Sequence, residues 1–149
     1  SPQAGDPGPW PLPHSSQKFQ GCKGYMSLGG IALGKKGERA ARKLLLSRGY
    51  KILESNYSTP QFEIDIIARD VDTLCFIEVK TRTGVKKGLP REGVTTAKQK
   101  KIIMGAQYYL SLNKITNTRL RFDVVEVLYK DASHTACDIT VIPNAFQGS

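Results

Sequence analysis

Phe62-Glu63-Ile64-Asp65-Ile66-Ile67-Ala68-Arg69, then Asp70-Val71-Asp72, then Thr73-Leu74-Cys75-Phe76-Ile77-Glu78-Val79-Lys80-Thr81, is the stretch that decides the architecture. Both flanks are rich in β-branched and aromatic residues, and the aspartates between them are turn chemistry. The stretch reads as a β-hairpin. Side chains alternate faces along a strand. Glu63 and Asp65 therefore share a face, and so do Glu78 and Lys80, while Ile77 and Val79 point the other way. Pairing through the turn brings three carboxylates and one ammonium to one sheet surface.

Such charges have an ordinary alternative, a solvent-facing hairpin that alternates polar and apolar residues. The settings argue against it. Glu78 interrupts the run Leu74 to Val79, and Asp65 lies among Ile64, Ile66 and Ile67. A charge in such a run is costly unless it is paired or holds a metal. Carboxylates packed together repel one another, and a divalent cation relieves this. Mg²⁺ or Mn²⁺, taken by hard oxygen ligands, can bind a phosphate oxygen and ready a water for attack. A lysine two residues from the glutamate can orient that water or offset phosphate charge.

Outward from the hairpin, Lys36 to Arg48 has Ala40, Ala41, Leu44 and Leu45 at helical spacing, with Gly49 as a stop. Tyr50 to Tyr57 reads as a strand. After a basic loop from Thr81 to Gly93, Thr95 to Leu112 reads as a helix with Ile102, Ile103, Ala106, Tyr109 and Leu110 on one side. Leu120 to Tyr129 and Asp138 to Ile142 are strands. The expected class is α/β, a central mixed β-sheet flanked by helices. Of Tyr108 and Tyr109, one or both belong to the core by spacing, and either could offer a stacking face.

The 149 residues suit one core. Residues 1–30 differ from the rest: Pro2, Pro7, Pro9, Pro11 and Pro13 crowd together with Gly and Ser, and the segment is expected to be a flexible tail. The domain is expected over residues 31–149. The whole chain has 22 Lys and Arg against 13 Asp and Glu, a net charge of +9, which favours polyanions. Lys80, Arg82, Lys86, Lys87 and Arg91 follow the hairpin, and Lys98, Lys100 and Lys101 open the next helix. Arg82, Lys86, Lys87, Arg91, Lys98 and Lys101 are candidates to grip a nucleic-acid backbone, alternatively a solvated basic loop. Three cysteines without paired spacing speak against structural zinc and suit a reducing cytoplasm. No apolar run of about 18 residues suggests a membrane span. No nucleophile–histidine grouping, P-loop or dinucleotide glycine pattern appears.

Gly37-Glu38, Gly49 to Tyr57, Glu63 to Arg69, Phe76 to Arg82, Lys98-Gln99, Arg121 to Val127 and Asn144-Ala145-Phe146, in that order, resemble the bacterial YraN (UPF0102) family across Gly34 to Phe146. That resemblance implies a restriction-endonuclease-like fold, a PD-(D/E)xK type site and similarity to archaeal Holliday-junction resolvases. Carried over, Asp65 corresponds to the metal-binding aspartate, Glu78 to the second acidic ligand and Lys80 to the motif lysine. Glu38, expected in the first turn of the opening helix, is either a further ligand or a charge that complements the helix dipole. Gln99 is either a polar group beside the reacting centre or an exposed helix residue. Glu63 is a further ligand or a rim charge. The family usually has glycine where this chain has Phe62, directly before Glu63.

Three readings follow. The first is a metal-dependent endonuclease acting on DNA, in branched or single-stranded intermediates of recombination and repair. The second is a nucleic-acid-binding module that keeps the fold and site but is catalytically idle or needs a partner. The third is an adaptor for a helicase or recombination partner. A homodimer is implied by fold analogy with resolvases.

Overall fold

The computed structural model of the chain describes residues 30–84, 94–130, 133 and 136–147. In chain order it contains α1 (Gly30–Ser47), β1 (Lys51–Ser58), β2 (Glu63–Asp70), β3 (Thr73–Thr83), α2 (Thr96–Leu112), β4 (Arg119–Tyr129) and β5 (Cys137–Phe146). The strands form one sheet in the order β1-β2-β3-β4-β5. Only β3 and β4 run parallel among these neighbours. A parallel pair needs a crossover, and α2 supplies it. This is the mixed α/β sheet with flanking helices that the patterning led us to expect. Residues 1–29 of the proposed tail, together with Lys86, Lys87 and Arg91, lie outside the described residues.

Both faces of the sheet are covered, which explains the nearly continuous apolar reading of β3. On one face, Ala40, Ala41 and Leu45 of α1 pack on Ile66, Cys75, Ile77 and Val127. On the other, Ile102, Ala106 and Tyr109 of α2 pack on Ile64, Ile67, Phe76 and Phe122. Each large apolar side chain so buried contributes about 1.5–3 kcal/mol. Tyr109 is fully in the core and Tyr108 is exposed, which settles the choice between the two tyrosines.

The helix ends follow local chemistry. α1 closes in a Schellman motif: Tyr50 N–H donates to Leu45 C=O, Gly49 N–H to Leu46 C=O, and Gly49 takes φ +90°. Thr95 caps α2, its hydroxyl accepting from Lys98 N–H at 3.2 Å.

Two boundaries depart from the sequence reading. α1 begins at Gly30 rather than near Lys36, because Leu33 also packs against the core on that face. β5 continues past Pro143 to Phe146 instead of stopping at Ile142. Proline is tolerated there because β5 is an edge strand. The chain bulges between the pairs Val124↔Ile142 and Phe122↔Phe146. Asn144 takes φ +54° in that bulge, and its N–H donates to Asp123 Oδ1 at 2.8 Å.

Candidate metal and phosphate site

The β2–β3 ladder runs from Asp70↔Thr73 to Ile66↔Ile77. At its open end the Asp65 carboxylate takes the place of a strand carbonyl: Oδ2 accepts from Val79 N–H at 2.8 Å. Strict alternation is lost here. Ile64 packs in the cluster under α2 and Ile66 in the cluster under α1. The chain changes face across Asp65, so Glu63 and Asp65 do not simply share one side as period-two reasoning predicted. The second strand does obey that reasoning, since Ile77 and Val79 lie under α1 while Glu78 and Lys80 meet each other.

Asp65 and Glu78 are both buried, and their carboxyl groups hydrogen-bond to each other. Two carboxylates in such contact share a proton unless a cation intervenes. Burial raises the Glu78 carboxyl to about 7, helped by the Asp65 charge and opposed by Lys98 and Lys80. Asp65 is also pushed up by burial, against the Val79 N–H bond that favours its charged form. Glu78 Oε2 lies 3.6 Å from Lys80 Nζ and 3.9 Å from Lys98 Nζ. Glu78 Oε1 is buried with no hydrogen-bond partner. An orphaned carboxylate oxygen costs roughly 1–3 kcal/mol or more, so the pocket is short of one positive group.

The other candidates surround this pair at different distances from it. Glu38 sits in the third turn of α1, not the first, because the helix starts earlier than its periodicity suggested. The dipole explanation of Glu38 therefore falls away. Its carboxyl is raised to about 7 by desolvation and then by the Asp65 charge, while Asn56 hydrogen-bonds to it. Glu63 opens β2 and is exposed, and its charge raises the Asp65 carboxyl further. Gln99 spends its amide N–H on Val94 C=O at 3.0 Å, closing the entry to α2. Lys100 and Lys101 are exposed on α2. Arg82 Nε lies 3.4 Å from Glu126 Oε2. Among the described residues, no three Asp, Glu, His or Cys side chains converge closely enough to ligate one ion.

Mg²⁺ commonly takes one or two carboxylates and fills the rest of its shell with water and phosphate oxygens. Asp65 and Glu78, with the unpartnered Oε1, fit that demand. Glu63 stands beside them as a charge felt by Asp65, and Glu38 as a carboxyl that feels the Asp65 charge.

Sequence reasoning gave no role to Glu126, which is buried opposite Lys80 in the parallel β3–β4 register. The signal was present: Glu126 breaks an apolar run, Val124-Val125-Glu126-Val127-Leu128, as Glu78 breaks its own.

Residues 37–127 match the model of uncharacterised protein family UPF0102. The chain belongs to that family. This UPF0102 chain is 46% identical over 115 residues to a UPF0102 protein of Desulforapulum autotrophicum, covering 77% of the chain and 93% of the relative. It is 50% identical over 99 residues to one from Chlorobium phaeobacteroides, covering 66% and 79%. It is 52% identical over 91 residues to one from Clostridioides difficile, covering 61% and 80%. The matched span of this UPF0102 chain contains Glu38, Glu63, Asp65, Glu78, Lys80 and Lys98. No helix among its described residues is long and apolar enough to cross a membrane.

Proposed function

We propose that the protein is a Mg²⁺- or Mn²⁺-dependent nuclease that binds DNA and hydrolyses its phosphodiester bonds, working in the cytoplasm on branched or single-stranded recombination and repair intermediates. One observation carries the reading. The carboxyls of Asp65 and Glu78 are buried against each other, with Glu78 Oε1 unpartnered and Lys80 and Lys98 beside Oε2.

Asp65 and Glu78 would hold the cation. When bound, it supplies the charge that draws a phosphate oxygen in and makes water a better nucleophile. Lys80, held by Glu78, offsets negative charge that grows on the phosphate. Val79 N–H ties Asp65 to the backbone between Glu78 and Lys80. Lys98 and Lys101 of α2, with Arg82 of β3, grip neighbouring phosphates. A homodimer, and a helicase or recombination partner, accompany this reading by analogy of fold.

A second reading also has an observation behind it. No third carboxylate joins the pair among the described residues, which favours a binding module without hydrolysis. Labelled linear, flap, single-stranded and four-way-junction DNA, each with Mg²⁺ or Mn²⁺, separate the two. Cleavage lost in Asp65→Asn and Glu78→Gln with DNA binding intact is the expected result. Tight binding with no cleavage of any substrate would falsify the enzyme reading.

A further inference from the structure

Lys98, Lys101, Gly105 and Tyr108 follow one another at spacings of three, four and three along α2. On a helix these positions form one ridge. It starts at the carboxyl pair, where Lys98 Nζ lies 3.9 Å from Glu78 Oε2. It ends at Tyr108, 45% exposed. Ten residues at about 1.5 Å each separate the ends by roughly 15 Å. Between them the ridge is flattened at Gly105. A Cβ placed there would lie 3.0 Å from Phe62 Cβ and 3.2 Å from Ile64 Cδ1. The gap left by the missing side chain lets Phe62 come down on the helix and lean on Tyr108. Their ring centroids are 6.2 Å apart and their planes 41° from each other.

The ridge therefore carries ammonium groups at the end nearer the site and aromatic rings at the far end. Lysines grip phosphates and rings stack on bases, the pair of features that holds single strands. A base offers its face only where it is unpaired. The net charge of +9 supplies the complementarity that a phosphate chain requires.

We propose that this ridge is the track on which an unpaired segment of DNA strand lies as it enters the carboxyl pair, with Tyr108 and Phe62 stacking its bases. The proposal rests on the nuclease reading above. It names the substrate form as strand rather than duplex.

The test is binding alone, in EDTA, so that it stands apart from any cleavage result. The full chain is titrated with a single-stranded DNA 12-mer carrying 2-aminopurine, with a blunt duplex of the same sequence, and with the matching RNA strand. Tyr108→Ala is expected to weaken single-strand binding by roughly tenfold and to remove the 2-aminopurine quench, with duplex binding unchanged. Tyr108→Phe is expected to keep both signals, and Tyr108→Leu, which keeps an apolar contact without a ring, to lose them. Tyr108 is exposed, so these variants should keep the fold, which circular dichroism would verify. Wild-type single-strand binding and quench retained by Tyr108→Leu overturn the proposal, since leucine has no ring to stack. RNA bound more tightly than DNA overturns the choice of DNA. Single-strand binding of this kind by a wild-type chain that cleaves no substrate with Mg²⁺ or Mn²⁺ sinks the nuclease reading but leaves the track.

Discussion

Gly37 of α1 and Thr81 of β3 are in such close contact that a Cβ on Gly37 would lie 1.9 Å from Thr81 Oγ1 and 2.9 Å from Thr81 Cβ. No rotamer of threonine removes the Cβ clash, so the helix or the strand must shift. Overpacking of this kind costs about 1–3 kcal/mol. Gly37→Ala is expected to lower stability by that amount in urea unfolding, and adding Thr81→Ala should restore part of it. Full stability in the single variant would show that α1 does not bear on β3 this closely.

Removal of the Lys80 ammonium should impair chemistry far more than binding. Loss of one preorganised charge-stabilising group costs on the order of 10²–10³ in rate. Lys80→Met is expected to lower single-turnover cleavage by about that factor while DNA affinity changes only a few-fold. Equal losses in both would reduce Lys80 to a phosphate grip.

The pH dependence of the metal-free protein has a definite sign. Glu78 and Glu38 rise from an ordinary 4.5 to about 7 in the fold. The folded state then holds protons that the unfolded chain has released. Their stabilising share is complete below about 4.5 and is lost as pH rises through about 7. Urea unfolding in EDTA should therefore show stability falling between pH 5 and pH 8. Mg²⁺ or Mn²⁺ should restore it most at the upper end, and Glu78→Gln should flatten the fall. Stability rising over that range would contradict the buried carboxyl pair.

Val71 has φ +57° in the turn between β2 and β3 and is 86% exposed. A β-branched residue at positive φ is strained, at a cost of about 1–2 kcal/mol. Asparagine tolerates that region. Val71→Asn is expected to stabilise the protein by about 1 kcal/mol in chemical denaturation, without altering DNA binding.

Arg121 ties the far end of the sheet together. Its guanidinium donates to Asp123 at 2.9 and 3.1 Å, to Asp70 at 3.1 Å and to Tyr50 Oη at 2.9 Å. Asp123 is 1% exposed, and stripping a buried carboxylate of its cation costs roughly 3–5 kcal/mol. Arg121→Met should fall near that range by equilibrium unfolding, softened by the Asn144 N–H that Asp123 keeps. A loss under about 1 kcal/mol would mean the network is solvated.

The sequence was most readable where local chemistry and burial agreed. Glu78 stood out because apolar neighbours surround it, and Ile77, Val79 and Lys80 took the faces that period two assigned. Gly49 marked the end of α1 for the same local reason. Two things were hidden. The change of face at Asp65 accompanies its side chain taking the Val79 N–H in place of a strand carbonyl, and no periodicity encodes that substitution. The pairing of Lys80 with Glu126 depends on the parallel register of β3 and β4, strands separated in sequence by all of α2. Glu38 was misplaced within its helix because Leu33 extends α1 through a tertiary contact that the helical window starting at Lys36 did not include.

The turn at Val71-Asp72 joins the paired residues Asp70 and Thr73 with only two residues. Side chains on β3 alternate, so one residue inserted or deleted there would rotate the whole strand by half a period. Glu78 would then enter the oily layer beneath α1, and Ile77 would face the lysines. Related chains that keep this chemistry should therefore tolerate substitutions in the turn but not changes in its length.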